Sequence, residues 1–128
     1  IYGTSTSAKY ADLAEKYTTD NEYEVGTVIV VSLDVNGAEG TASFDVAQRV
    51  LGVVSEKPAF LMNDEAPGQA LALRGRVPVK VVGAVKKGQA LISAPDGKSI
   101  VGDQQNSFAI ALESNSDPYV KLVECVIL

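Results

Sequence analysis

Residues 70–83 have the sequence Ala70-Leu71-Ala72-Leu73-Arg74-Gly75-Arg76-Val77-Pro78-Val79-Lys80-Val81-Val82-Gly83. Val77, Val79 and Val81 fall on one face of an extended chain, because successive side chains of a β-strand point to opposite faces. The stretch is two strands or one kinked strand, and Pro78, which has no backbone N–H, belongs at an edge or a bulge. This pattern predicts a protein built from β-sheet.

The neighbouring segments repeat the pattern of short apolar runs between turn residues. Residues 26–33 are β-branched and apolar on both faces, which is typical of a central strand. Asn36-Gly37 follows them and is a strong hairpin signal. About eight short strands at this spacing predict an all-β domain that is barrel-like or sandwich-like. Its predicted core includes Val28, Val30, Val53 and Phe60.

One segment near the beginning has a different spacing. Tyr10, Leu13, Ala14 and Tyr17 recur at intervals of three or four residues, and Ser7 is suited to cap the first turn. The spacing predicts one short N-terminal helix before the strands.

The chain of 128 residues has the size of one domain. Residues 1–7 are small and hydroxyl-rich, which is typical of a linker from an upstream region. Residues 8–128 are then a single β-rich domain. The C-terminal strand ends on three large apolar residues, so we expect it either to leave an edge that self-association covers or to lie centrally in the sheet of the monomer.

Composition and charge exclude several classes of function. The chain has no His and a single Cys, so it has no catalytic triad with an imidazole, no intrachain disulfide and no thiolate zinc cluster. The net charge of −5 argues against nucleic acid as a partner. No apolar run approaches the roughly 20 residues that a membrane-spanning helix needs, so membrane insertion is not expected. No cofactor or metal site is predicted.

A hydroxyl group and a carboxylate near the beginning form one candidate catalytic pair. Some self-cleaving domains use a Ser or Thr hydroxyl beside a carboxylate to attack the neighbouring peptide bond, without any histidine. Ser5, Thr6 and Ser7, beside the acidic predicted helix, are the hydroxyl groups that such chemistry could use here.

Two polar loops are the predicted sites of contact with a partner, because binding residues concentrate on exposed loops. The first contains Asp64 and Glu65, and the second contains Ser114, Asn115 and Asp117. Cys125 lies in an apolar run and is predicted to be a buried structural thiol.

Five strings occur in a fixed order along the chain. They are YADLAEKY (10–17), YEVGTV (23–28), GVVSEKPAFLMN (52–63), LRGRVPVKVVG (73–83) and VKKGQAL (85–91). Together they resemble the C-terminal domain of tailed-bacteriophage fibre and related virion structural proteins. They also resemble the intramolecular-chaperone autoprocessing domain at the end of phage tail spikes and neck appendages.

The resemblance implies a structural, non-enzymatic domain of a phage virion, from a tail fibre, a head fibre or a capsid-decorating protein. Its implied partners are two further copies in a homotrimer, other phage structural proteins and a host-surface receptor. In autoprocessing members the domain is released by self-cleavage close before an Asp-x-Ala-Glu string, which is Asp12 to Glu15 here. The resemblance then implies a catalytic pair in which Glu15 matches the acidic residue beside the cut and Ser7 is the nearest hydroxyl nucleophile. A self-cleaving chaperone and a receptor- or glycan-binding fibre tip are the alternatives.

Overall fold

The computed structural model describes residues 10–128, and these residues form ten β-strands and no helix. The strands are β1 (Ala11–Tyr17), β2 (Val28–Val31), β3 (Gly40–Ala42), β4 (Val50–Val54), β5 (Phe60–Met62), β6 (Gln69–Val81), β7 (Ala90–Ala94), β8 (Lys98–Val101), β9 (Ala109–Ala111) and β10 (Lys121–Ile127). The prediction of an all-β domain is confirmed. The predicted linker, residues 1–7, lies outside the described residues. Within the described part, no helix is available to cross a membrane.

Five of the strands close into a small barrel. β10 pairs with β9, β9 with β7, β7 with β8, and β8 with β6, while β10 also pairs with β6 and completes the ring. The first half of β6 extends the sheet beyond the barrel. On one side it pairs with β4, which is followed by β2 and β3, and on the other side it pairs with β1, which is followed by β5. Because β10 is paired on both sides, the C-terminal strand is central, and the expected free edge is not present.

β6 is the one kinked strand of the two alternatives that the sequence left open. It has 13 residues and bends at Gly75, where φ is +98°. Its first half pairs with β1 and β4, and its second half pairs with β10 and β8. Pro78 lies between the last β1 partner, Arg76, and the β8 partner, Val81. Pro78 is paired with β10 on one side, and on its other side no described strand pairs with it. A residue without a backbone N–H is tolerated at such an unpaired edge.

Inward-facing side chains fill the barrel. Val77, Val79 and Val81 are fully buried, which confirms that they share a face. A second, smaller cluster lies where β6, β4 and β2 meet, and it contains Ile29, Val54 and Leu71. Burial of this aliphatic surface is the main favourable term in folding, at about 25 cal/mol per Å².

Three of the four predicted core residues are buried, namely Val28, Val30 and Val53. Phe60 was predicted wrongly, because 63% of its side chain is exposed. It belongs to β5, a strand of three residues at the outside of β1, and its register partner Leu13 also points outward. An apolar run this short does not reveal whether it covers the core or lies outside the sheet.

The predicted N-terminal helix is wrong, since residues 11–17 form strand β1. Asp12 and Ala14 are buried, whereas Ala11 and Leu13 are exposed, so burial alternates with the period of a strand. β1 pairs with β6 antiparallel and with β5 parallel. An isolated helix of this length is marginal in water, whereas strand pairing on both sides supplies a full ladder of hydrogen bonds. The predicted cap, Ser7, lies outside the described residues.

Candidate functional site

The carboxylate of Glu15, one half of the predicted catalytic pair, is held by two neighbours. Glu15 Oε1 accepts a hydrogen bond of 3.0 Å from the Tyr17 hydroxyl, and Oε2 accepts one of 2.6 Å from Asn63 Nδ2. These contacts fix the outward face of β1 to the loop after β5. Ser7, the other half of the pair, lies outside the described residues.

Asp12 is the unusual carboxylate of this region, and no role of its own was predicted for it from the sequence. Only 2% of the residue is exposed, and neither of its carboxylate oxygens has a hydrogen-bond partner among the described residues. Burial raises the pKa of Asp12, and the nearby Ser55 hydroxyl and Ala59 amide offset this only in part. The Ser55 hydroxyl is itself buried without a partner of hydrogen-bond geometry. Reading residues 11–17 with a period of two would have placed Asp12 beside Ala14 on the inward face.

Acidic groups surround the start of β1. Burial, and then the charge of Glu56, raise the pKa of Tyr10, and Asp12 and Glu124 contribute in the same direction. Arg76, which is the register partner of Ala11, forms an ion pair of 3.5 Å with Glu124. Asp12 itself forms no ion pair with residues 10–128 that would favour its charged form, and burial is the main cause of its raised pKa.

The second predicted contact loop is braced against the turn before β7. Lys87 N donates to Ser114 Oγ at 2.9 Å, Val85 and Asn115 exchange two backbone hydrogen bonds, and Asp117 N donates to Asn115 Oδ1. The Lys121 ammonium donates to the carbonyl oxygens of Asp117 and Gly83, which ties both segments to β10. Hydrogen bonds therefore connect the loop to the turn before β7 and to β10.

The first predicted contact loop, with Asp64 and Glu65, is exposed between β5 and β6. A backbone hydrogen bond from Ala66 to Asn63 shapes its turn. It precedes the first residue of β6, whereas the loop with Ser114 lies beside the turn that follows the last residue of β6. The structure does not bring the two predicted loops together.

Large apolar side chains are exposed in two concentrated areas. Of the eleven such residues on the described surface, eight lie in these areas. The hairpin patch, at the end of β2 and around β3, comprises Val31, Leu33, Val35, Phe44 and Val46. The Tyr119 surface, at the start of β10, comprises Tyr119, Val120 and Leu122. Val31, Leu33 and Phe44 lie together in the first area, and Val120 and Leu122 lie together in the second. Exposed apolar side chains that lie together mark sites of association.

Each area borders a groove. A groove of about 390 Å³ runs between Val31, Leu33 and Phe44 of the hairpin patch and the start of β4. A second groove, of about 370 Å³, lies between the Tyr119 surface and Lys80. Sequence reasoning missed both areas, because exposed and buried valines look alike in a sequence.

Other kinds of site find no support in the part of the chain that the structure describes. No group of three or more potential metal ligands is present among residues 10–128. Cys125 is fully buried, and burial raises the pKa of its thiol to about 12. A thiol with this pKa is not a nucleophile at neutral pH, so Cys125 is a structural thiol as predicted.

No protein-family model and no curated protein matches this chain. Solved structures do match in fold. The bacteriophage phi29 gene product 12 C-terminal fragment has a TM-score of 0.70 at 13% identity, over 91% of this chain and 100% of the fragment. The pre-mature bacteriophage phi29 gene product 12 has a TM-score of 0.75 at 12% identity, over all of this chain but only 23% of that one.

The head fiber gp8.5 N base of bacteriophage phi29 has a TM-score of 0.56 at 13% identity, over 90% of this chain and 92% of that one. At these identities the likeness establishes a shared fold. The chain thus has a fold that is also found in two bacteriophage phi29 proteins, one of which is a head fiber. A link to the intramolecular-chaperone domains is not shown by these structures.

Proposed function

We propose that this chain is a structural, non-enzymatic domain of a tailed-bacteriophage virion, in a fibre or a capsid-decorating protein, and that it assembles as a homotrimer. The observation that carries the proposal is the fold likeness to a phage head fiber base and to gene product 12, each over nine-tenths or more of this chain. The order of the five sequence strings supports it independently.

Self-association is supported by the exposed apolar surface rather than by a free strand edge, because β10 is paired on both sides. The hairpin patch and the Tyr119 surface together expose eight large apolar side chains. A closed symmetric assembly covers such surface in every copy at once. The proposed partners outside the trimer are other phage structural proteins.

A location in the virion is tested by labelling. Antibodies raised against the purified domain should bind intact, purified particles of the phage that encodes it, at a constant position in negative-stain electron microscopy. Mass spectrometry of the same particles should recover peptides of the described region. If the protein is abundant in infected cells but missing from purified particles, the proposal of a virion component is refuted.

Self-cleavage is the second candidate function, and one observation favours it. The Asp12 carboxylate, directly after the Ala11–Asp12 peptide bond, is buried and has no hydrogen-bond partner among the described residues. A carboxyl group held in this way beside a peptide bond is suited to proton transfer during hydrolysis. The Glu15 carboxylate, by contrast, is held by Tyr17 and Asn63.

Intact mass spectrometry of the chain, expressed with its natural upstream sequence, separates the two candidates. Self-cleavage would give two fragments whose masses together equal that of the precursor plus one water, and Asp12→Asn would abolish them while Asp64→Asn would not. A chain that stays intact on prolonged incubation eliminates the second candidate and leaves the structural role.

A further inference from the structure

We propose that the hairpin patch of one copy docks on the Tyr119 surface of the next copy. The inference rests on the proposed homotrimer and names the two surfaces that form its contact. The two areas are the main concentrations of exposed apolar side chains in the described chain, and they match in chemistry. Leu33 is 83% exposed and Tyr119 is 76% exposed, and each has other exposed large apolar residues close by in the sequence.

The shapes of the two areas allow contact. The hairpin patch flanks a groove of about 390 Å³ that is lined mainly by aliphatic side chains and Phe44. Tyr119 is exposed and comes directly before Val120, on the segment that Lys121 ties to two backbone carbonyls. A rigid aromatic side chain entering an apolar groove is a frequent anchor of protein interfaces, because it buries a large area and loses little conformational entropy.

The charges of the two areas are opposite. Residues 31–49, which carry the hairpin patch, contain three carboxylates, Asp34, Glu39 and Asp45, and one cation, Arg49. Around the Tyr119 surface, residues 80–87 and 114–122 contain four lysines and one aspartate, while Glu24, which lines the same groove, and Glu113 reduce the net positive charge there. This is a basic area on a chain whose net charge is −5. Opposite charges around an apolar centre favour the contact and disfavour alternative pairings.

Two of these lysines are free to face a neighbour. The side chains of Lys86 and Lys87 are exposed and make no hydrogen bond or ion pair with residues 10–128. Lys80 is already paired with Glu24 at 2.6 Å, and the Lys121 ammonium is bound to carbonyl oxygens. The lysines without an intramolecular partner, Lys86 and Lys87, thus lie in the turn that is hydrogen-bonded to the loop before the Tyr119 surface.

The arrangement also determines the kind of symmetry. Two hairpin patches that faced each other across a two-fold axis would bring carboxylates against carboxylates, and two Tyr119 surfaces would bring lysines against lysines. A head-to-tail contact pairs opposite charges and generates a ring when the rotation closes. The two areas lie at opposite ends of the short strand β2 in each copy. Gly26, just before β2, is next to Leu122 of the Tyr119 surface, and the hairpin patch begins at the end of β2.

Charge substitution at exposed apolar positions tests this contact. Leu33→Lys places a cation opposite the basic area, and Val120→Asp places a carboxylate opposite the acidic one, so each is expected to weaken the trimer by at least about tenfold per contact. The double variant Leu33→Lys/Val120→Asp places the new charges opposite each other, and is expected to recover most of the loss in low salt. Phe60→Asp is the matched control, because Phe60 is exposed but lies outside both areas.

Sedimentation equilibrium of the five proteins gives the answer, with circular dichroism to verify that each is folded. The proposal is overturned if either single variant stays as strongly trimeric as the wild type, if the double variant is weaker than both single variants, or if only Phe60→Asp dissociates the trimer. These outcomes leave the proposed function intact. A wild-type chain that is monomeric throughout would instead refute the homotrimer itself.

Discussion

Asp12→Asn is expected to raise the free energy of unfolding by about 2 kcal/mol at pH 8, because it replaces a buried carboxylate, which the Ser55 hydroxyl and the Ala59 amide stabilise only in part, with a neutral amide. The effect should depend on pH. Since burial raises the pKa of Asp12 in the folded protein, the folded state binds a proton more readily than the unfolded state does. The contribution of Asp12 to wild-type stability should therefore fall as pH rises from the ordinary value of 3.8 through the raised pKa.

The variant lacks this loss, so its advantage over wild type should be largest above the raised pKa and smallest below pH 3.8. Carboxylates whose pKa is lowered in the folded state, such as Glu24 beside Lys80, make the free energy of unfolding rise with pH. They do so equally in the wild type and in Asp12→Asn, so they cancel in the difference between the two proteins. Urea unfolding at a series of pH values, at one protein concentration, measures the difference. Asp64→Asn, in an exposed loop, should change stability by less than about 0.5 kcal/mol. An advantage that does not change with pH would contradict this account of Asp12.

Gly75→Ala is expected to destabilise the domain by about 3 kcal/mol. The φ angle of +98° at Gly75 disfavours any residue with a Cβ. In addition, an added Cβ would collide with the backbone carbonyl oxygen of Ala11, so that β1 and β6 would have to separate. Gly75 lies at the bend of β6, between the half that pairs with β1 and β4 and the half that pairs with β10 and β8 in the barrel.

Gly83→Ala provides the matched control for this substitution. Gly83 has a similar φ of +90°, but an added Cβ there would meet no atom within 4 Å. It should cost only the backbone strain, about 1 kcal/mol. The excess at Gly75, measured by urea unfolding, reports the collision with β1. Equal losses for the two variants would show that the close approach of β1 to Gly75 does not contribute to stability.

The sequence was informative where side-chain periodicity and burial coincide. The alternation of Val77, Val79 and Val81 predicted a strand with one buried face, and the Asn36-Gly37 pair predicted the hairpin in which β2 and β3 are antiparallel. These are local patterns, so neighbouring residues are enough to define them. The kink in β6 was also foreseeable, because a glycine lies in the middle of the run.

Other features depend on partners that are distant in the sequence. Residues 11–17 have a spacing that suits either a helix or a strand, and pairing with β5 and β6, about 45–65 residues away, decides for the strand. The same pairing buries Asp12. Residues 26–33 were predicted to be buried on both faces, but Val31 and Leu33 are exposed because the sheet ends beside them. Composition alone does not distinguish an apolar strand end that covers a core from one that forms a surface for association.

The most direct test of a homotrimeric virion domain is the mass of the purified wild-type chain in solution. One copy has a mass of 13.4 kDa, so a trimer has a mass of about 40 kDa. Sedimentation equilibrium over a hundredfold range of protein concentration should fit a species of about 40 kDa, with dissociation toward the monomer on dilution or in the Leu33→Lys variant. A single species of 13.4 kDa at all concentrations would contradict the account.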